Sequence, residues 1–181
     1  MTRLLQVLTA LVVIVLIIRN LPGDRDPGER VASDAPQYVA DGARWQRFDD
    51  QGQLLMAATA ESLQGFSGGE KRFTTLRIDQ LGGDDVWQLQ SPSGHQAAEG
   101  EPLRLDGPVN GILQRPNQGT ATLDAANVWV DREKQQLYSD DAITWTDGAS
   151  EARAKGFDGD WAGRSVKLRG DVNVRFARPQ Q

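Results

Sequence analysis

Few side chains in this sequence of 181 residues are suited to catalysis. It contains one histidine, His95, and no cysteine. Without cysteine, a disulfide framework, a Cys/His metal site and Cys–His catalysis are all excluded. A Ser–His–Asp set would need His95, which lies in the loop-like segment S-P-S-G-H-Q without an identifiable nucleophile. The sequence therefore predicts no catalytic residue, no metal site and no cofactor, and it favours a binding protein over an enzyme.

Three pairs of adjacent acidic residues are the other candidates for acid–base chemistry. They occupy positions 49–50, 84–85 and 140–141, all in predicted turns. General acid–base catalysis needs carboxylates that converge on a cleft and differ in pKa. Neighbouring turn residues point apart and are screened by water. We therefore interpret all three pairs as solvated turn residues.

Charge is distributed unevenly along the chain. The net charge is -5, from 20 Lys and Arg against 25 Asp and Glu, with no basic block of the kind that binds nucleic acid. From residue 151 onward, however, seven basic residues face four acidic ones. A basic terminal strand is suited to an anionic ligand or partner. It is equally typical of a charged edge strand that prevents aggregation, and the sequence leaves both interpretations open.

The first residues are nearly all apolar and predict a membrane anchor. Residues 4–18 are interrupted only by Gln6 and Thr9. Eighteen helical residues rise about 27 Å, close to the ~30 Å hydrocarbon thickness of a bilayer. The residues that follow do not form the small-residue cleavage site of a signal peptide, the competing interpretation. We predict one N-terminal transmembrane helix at residues 1–21, a flexible linker at 22–36 and an exported domain beyond it.

From residue 37 to 178, apolar and polar residues alternate with the period of β-strands. A short tail, residues 179–181, follows. The clearest alternation predicts a last strand over residues 165–177, with a bend or bulge at Gly170 and one apolar face. That face comprises Val166, Leu168, Val172, Val174 and Phe176.

An internal repeat of about thirty residues indicates a repeating β architecture. Its copies end at Ile78, Val109, Ile143 and Val172. A small residue lies 18 positions before each end, at Ala60, Ser91, Ala125 and Ala154. One such unit cannot bury its apolar face alone. We therefore predict an all-β domain with two walls of strands whose apolar faces point inward, a twisted β-jelly-roll or folded-sheet sandwich.

Five tryptophans are spread through the β region: Trp45, Trp87, Trp129, Trp145 and Trp161. Core packing accounts for such residues in most sheets. An apolar trough that holds acyl chains would use them equally well. The sequence alone does not separate a filled core from an open trough, because both need alternating strands.

The order of several short motifs resembles the LptC family of lipopolysaccharide export proteins. After the anchor and linker come P-x-Y at 36–38, F-D-x-x-G-x-L at 48–54, A-E-S-L at 60–63 and R-F-T-T-L-R-I at 72–78. W-x-L at 87–89 and L-x-G-x-V at 105–109 and 168–172 complete the series. The resemblance covers nearly the whole chain and rests on order, length and anchor together.

The resemblance implies a domain in the periplasm, anchored in the inner membrane, with an open apolar groove. It implies that lipopolysaccharide arrives from the inner-membrane ABC transporter LptBFG, contacted through the anchor and the N-terminal part of the domain, and passes to the periplasmic protein LptA. The contact with LptA would join edge strands in register. Family members are not enzymes.

Sixteen inward-facing positions are predicted to line the groove, and the last strand is predicted to meet LptA. The lining comprises Leu54, Met56, Phe73, Leu76, Ile78, Trp87, Leu89, Leu105, Val109, Leu123, Ile143, Trp145, Val166, Leu168, Val172 and Val174. The edge residues are Lys167, Arg169, Asn173 and Arg175. The alternative is a membrane-anchored β-sandwich scaffold with a closed core, which organises an envelope complex without binding lipid.

Overall fold

The computed structural model describes residues 35–81, 84–116, 118–148 and 150–176. The predicted anchor, nearly all of the predicted linker and the C-terminal tail lie outside these residues. Within them, no helix is long and apolar enough to cross a membrane. The helical structure of these ranges is one 3-10 turn, Ser67–Gly69.

The prediction of an all-β domain is confirmed: twelve strands form one sheet within the described residues. In chain order they are β1 Tyr38–Phe48, β2 Leu54–Gly65, β3 Lys71–Leu81, β4 Val86–Gln96, β5 Leu103–Arg115, β6 Gly119–Asp131, β7 Gln136–Ser139, β8 Ile143–Asp147, β9 Ser150–Ala154, β10 Gly156–Asp160, β11 Ser165–Arg169 and β12 Asn173–Phe176.

The strands form an antiparallel meander that divides after β6. Strands β1 to β6 each pair with the next strand in sequence. The N-terminal half of β6 then pairs with β8, and its C-terminal half pairs with β7. One branch continues through β9 to β12, and the other continues through β10 to β11. After β6, each long hairpin arm is thus broken into two short strands that follow different branches.

The break is a crease that crosses the whole sheet. Registers shift at this line between β4 and β5 and between β5 and β6. Backbone with positive φ marks it, at Gly42, Thr75, Gly107 and Gly170. Glycine adopts such angles without the steric cost paid by other residues. At Gly107 a side chain would also meet the ring of Pro92, with its Cβ 2.6 Å from Cγ.

The crease divides the sheet into two walls that have the same strand order. Wall 1 comprises residues 38–41, 62–65, 71–74, 93–96, 103–106 and 127–131 with β7, β10 and β11. Wall 2 comprises residues 43–48, 54–60, 76–81, 86–91, 109–115 and 119–125 with β8, β9 and β12. The inner faces of the two walls enclose the core, as the alternation predicted.

The small residues of the repeat lie where the walls converge. Ala60, Ser91, Ala125 and Ala154 are all buried, and each is the last inward residue of wall 2 before the crease. Larger side chains at these positions would hold the walls apart at the fold line. Beyond the crease, the middle of the core is closed around fully buried residues such as Leu105. The repeat therefore marks where β2, β4, β6 and β9 reach the crease.

The prediction that residues 165–177 form a single last strand is wrong. The segment consists of β11, which pairs with β10, and β12, which pairs with β9. Gly170 and Asp171 both have positive φ and turn the chain from wall 1 to wall 2. The bend predicted at Gly170 is present, but it divides the segment between the two branches of the sheet.

Candidate functional site

The sixteen predicted lining residues fall into three groups. Seven of them fill the closed middle of the core: Leu76, Ile78, Leu89, Leu105, Val109, Leu123 and Ile143. Six border cavities between the walls: Met56, Phe73, Trp87, Trp145, Val166 and Leu168. The remaining three, Leu54, Val172 and Val174, lie nearer the solvent. For all sixteen, contact with a ligand stays a prediction.

The first cavity lies beside β1 and has an apolar interior. This β1 cavity has a volume of about 340 Å³. Its apolar lining comprises Trp45, Met56, Leu63, Phe73 and Leu103 with the ring of Tyr38. Trp45 of wall 2 and Phe73 of wall 1 meet across the cavity, with ring centroids 5.4 Å apart. The two walls are therefore joined at this end by an aromatic contact.

Among the described residues, every charged side chain that borders the β1 cavity is a cation. These cations are Arg44 of β1, Lys71 of β3 and Arg132 of the β6–β7 turn. None of the three forms an ion pair with a described residue, whereas most other arginines of the described sheet are paired. We call these three residues the cationic rim. Arg47 lines a smaller adjoining pocket of about 50 Å³ that shares Met56 and Arg132 with the cavity.

The second cavity lies between β11 and wall 2. This β11 cavity has a volume of about 560 Å³. Its lining includes Trp87, Trp145, Trp161, Val166 and Leu168 together with the charged residues Asp85, Arg115, Asp147, Asp160 and Arg164. The carboxylates outnumber the guanidinium groups. The cavity therefore combines an aromatic surface with a mixed, slightly acidic border.

At the β11 cavity the two walls are joined by an ion pair. Arg164 precedes β11 in wall 1, and its Nη2 donates to Oδ1 of Asp85, before β4 in wall 2, at 2.6 Å. Asp84 lies 3.6 Å from the same guanidinium. The hydrogen bond and charge of Asp85 raise the pKa of Arg164 above its usual value. Among the described ion pairs, this one alone joins the outer margins of the two walls.

The interpretation of residues 84–85 as solvated turn residues is wrong for Asp85. Its side chain is only 8% exposed, while that of Asp84 is 83% exposed. Adjacent residues that enter a strand point to opposite faces. Asp85 is buried at the margin of wall 2, and the guanidinium of Arg164 compensates its charge.

The predicted edge residues have unequal access to a partner. Lys167, Asn173 and Arg175 are exposed. Arg169 instead donates to Oδ1 of Asp140 at 2.8 Å and to the backbone oxygen of Ser139 at 3.0 Å. These bonds tie β11 to the crease. Contact of the four residues with a partner stays a prediction, and Arg169 is the one already held within the domain.

Part of the apolar face of residues 165–177, which was predicted to be buried, is exposed to solvent. Val172, Val174 and Phe176 are 47%, 46% and 76% exposed. Val174 lies opposite the buried Ala152 in β9, so it shares the inner face of wall 2. The alternation identified this face correctly, but burial was wrong for these three residues. They are exposed because β12 ends its branch of the described sheet and no further strand covers it.

His95 lies in β4, so the loop assignment of its segment is wrong. Its Nε2 is 3.5 Å from Oε1 of Glu70, and its side chain is 41% exposed. Glu70 also binds Arg72 at 2.7 Å. The group forms a solvated cluster on wall 1, where no described serine or threonine is hydrogen-bonded to His95.

Sequence reasoning missed the charged borders of both cavities. Arg44, Lys71 and Arg132 are far apart in sequence, and only the folding of β1, β3 and the β6–β7 turn around one cavity brings them together. Asp85 and Arg164 are 79 positions apart. Three of the five tryptophans line the β11 cavity and one lines the β1 cavity. The tryptophans could be identified as candidates from the sequence, whereas no sequence pattern indicated that these charged residues would border the cavities.

Comparison with known proteins identifies a family and solved structures with a similar fold. The model of the family described as lipopolysaccharide-assembly, LptC-related, matches residues 6–177. No curated protein sequence matches the chain. A crystal structure of LptH, the LptA-homologous periplasmic component of the lipopolysaccharide transport device of Pseudomonas aeruginosa, is similar with a TM-score of 0.50 and 11% identity. The match covers 80% of this chain and 96% of that chain, and at this identity it concerns the fold alone.

Proposed function

Because the chain belongs to the LptC-related family of lipopolysaccharide-assembly proteins and has a role in lipopolysaccharide transport, we propose that it binds lipopolysaccharide between its two walls. It receives the lipid from the inner-membrane transporter LptBFG and passes it to the periplasmic protein LptA. Residues 1–21 anchor it in the inner membrane as a single-pass protein, with the domain in the periplasm. The family's role is non-enzymatic.

The observation that carries this proposal is the pair of cavities between the walls of the folded sheet. Each is bordered by large apolar side chains, and together they measure several hundred Å³, the size class of ligand sites. Acyl chains entering them would leave water at about 25 cal/mol per Å² of apolar area. The sugars and phosphates would remain at the charged borders.

The exposed inner face of β12 supports transfer to a following protein. Val174 and Phe176 continue the apolar surface of wall 2 to its last strand. A partner with the same fold that pairs with this edge would extend the trough and cover both side chains. Lys167, Asn173 and Arg175 would border that contact. At the other end, β1 would meet the transporter.

Photo-crosslinking in cells tests the proposal. A photoreactive residue in place of Phe73 or Trp145 should capture lipopolysaccharide, because both side chains border cavities. The matched controls are Thr74 and Thr122, which are exposed on the outer faces of β3 and β6. Equal capture at inner and outer positions, or none at either inner position, would contradict lipid binding between the walls.

A scaffold without lipid is the second candidate, and the closed middle of the core favours it. Leu76, Leu105 and Val109 have no exposed surface, so a continuous groove would require the walls to separate there. Under this alternative, crosslinkers at Phe73 and Trp145 would give no lipid adduct, and adducts at the exposed edges would contain protein only.

A further inference from the structure

We propose that the cationic rim of the β1 cavity binds the phosphate groups of the phosphorylated glycolipid, so that the lipid enters the trough with its phosphates at the β1 end. The inference rests on the proposed function and adds an orientation to it. Its ligand class is an anionic amphiphile, whose acyl chains occupy the cavity while its phosphates contact Arg44, Lys71 and Arg132.

The first argument is the pairing of charges. Most arginines of the described sheet have a carboxylate partner within 4 Å, including Arg115 with Asp147 and Arg169 with Asp140. The three rim cations have no such partner among the described residues, although they border one cavity. Arg47, which lines the adjoining pocket, is likewise without an ion pair to a described residue. Four cations at one end that have no ion-pair partner within the described residues create a positive potential there.

The second argument is the interior that these cations border. Behind the rim lie Trp45, Met56, Leu63, Phe73 and Leu103, which carry no charge. A free anion would gain nothing from this apolar surface. An amphiphile would contact both parts at once, because its phosphates lie next to its acyl chains. Arginine provides the planar pair of donors that matches phosphate oxygens.

The third argument is the contrast with the β11 cavity. Its border carries Asp85, Asp147 and Asp160 against Arg115 and Arg164. Arg115 is already bonded to Asp147 at 2.7 Å, and Arg164 to Asp85 at 2.6 Å. An entering phosphate would have to displace a carboxylate there. The phosphates would therefore be attracted to the β1 end and repelled by the carboxylates at the β11 cavity.

A protective edge is the competing role for cations near β1, since charges on edge strands prevent aggregation. That role requires no phosphate and no apolar cavity. It predicts that the rim variants would aggregate, with no change in selectivity between phosphorylated and dephosphorylated lipids. The difference decides between the two roles.

The experiment compares two double variants of the full chain that lose the same residue types. Lys71→Gln with Arg132→Gln removes two rim cations, and Lys155→Gln with Arg77→Gln removes two exposed cations that border neither cavity. Their thermal midpoints are compared with the wild type, so that a folding defect is recognised. Binding of lipopolysaccharide and of its enzymatically dephosphorylated form, which has the same acyl chains, is measured with a photoreactive residue at Phe73.

The rim variant should bind phosphorylated lipopolysaccharide roughly tenfold more weakly or worse, because one lost hydrogen bond between charged groups corresponds to about that factor. It should bind the dephosphorylated form as the wild type does. The variant with Lys155→Gln and Arg77→Gln should retain wild-type binding of both lipids.

Three results would overturn the inference. One is equal binding of the phosphorylated lipid by both double variants. Another is loss of both lipids in a folded rim variant. The third is rim-dependent binding of inorganic phosphate alone at the same affinity, which would make the site one for free phosphate. If the wild type captures neither lipid, the proposed function fails as well, and that outcome is distinct from all three.

Discussion

The β1 cavity and the β11 cavity differ in how their charged residues are compensated. At the β1 cavity, three cations border an apolar interior without ion pairs to described residues, and the walls meet through Trp45 and Phe73. At the β11 cavity, the arginines are bonded to carboxylates, and the walls meet through Asp85 and Arg164. One folded sheet thus has one end whose described cations lack ion-pair partners among the described residues and another end whose charges are compensated.

The aromatic contact is where the largest effect on stability is expected. Phe73→Ala should lower the free energy of unfolding by about 3 kcal/mol, because it removes a buried ring and leaves a larger cavity between the walls. The loss should be nearly independent of salt. Thr74→Ala, on the outer face of the same strand, should change it by less than about 0.5 kcal/mol. Denaturant titrations at low and high salt measure both.

Should Phe73→Ala prove as mild as Thr74→Ala, the β1 end would not be held closed by its aromatic contact. The two ends would then differ only in how their charged residues are compensated.

The ion pair at the β11 cavity should respond to salt, with a smaller effect on stability. Raising the ionic strength from about 0.1 M to about 1 M shortens the Debye length from about 10 Å to about 3 Å. We expect the walls to separate further at this end, because the Arg164 side chain is 49% exposed and its attraction to Asp85 is screened. The chain has no cysteine, so spin labels at Gln114→Cys and Ala162→Cys report this distance specifically.

A second label pair at Gln46→Cys and Glu133→Cys spans the β1 end and should not respond to salt. Asp85→Asn combined with Arg164→Gln should reproduce the effect of salt without leaving a buried charge unpaired. The same shift at both ends would remove the distinction between them.

The smallest effect is expected in acid, from Asp131 beside the rim. Burial alone would raise the pKa of Asp131, but hydrogen bonds from the backbone of Lys134 and Glu133 and the Lys134 ammonium outweigh it and hold the pKa below its usual value. The ionised carboxylate is therefore favoured in the folded state. Its contribution to stability is present above about pH 4, near the pKa of an unfolded aspartate, and is lost as pH falls through the lower folded pKa.

Asp131→Asn should therefore destabilise the domain at neutral pH and have less effect near pH 3. The carboxylate holds the β6–β7 turn that presents Arg132, accepting from the N–H groups of Glu133 and Lys134 at 3.1 and 3.0 Å. Unfolding curves for both proteins across this pH range measure the difference. A constant difference between them would refute the assignment.

The sequence predicted the sheet better than it predicted the site. Alternation identified which face of each strand points inward, even at Val174, because that pattern reflects burial by the neighbouring strands. The repeat of Ala60, Ser91, Ala125 and Ala154 recorded the crease, because only small side chains allow the walls to converge there. The inward face of a strand and the small residue at its crease are both set by residues close together in the chain, so the local sequence pattern reveals them.

The cavity borders were not predictable in this way. Asp85 looked like a solvated turn residue until Arg164, 79 positions later, was placed beside it. That Arg44, Lys71 and Arg132 form no ion pair with a described residue likewise depends on the folded surroundings. Alternation also overestimated burial at Phe176, because it does not reveal that β12 ends its branch of the described sheet.

Retention of lipopolysaccharide by the purified full chain tests most directly the claim that lipid binds between the walls. The lipid carried per chain is measured by mass spectrometry for the wild type, Phe73→Asp and Thr74→Asp, once circular dichroism has shown that both variants keep their β-sheet. We predict that the wild type and Thr74→Asp retain lipopolysaccharide equally and that Phe73→Asp loses most of it, because a carboxylate enters the apolar cavity. Equal retention by a folded Phe73→Asp variant, or no retention by the wild type, would contradict the account.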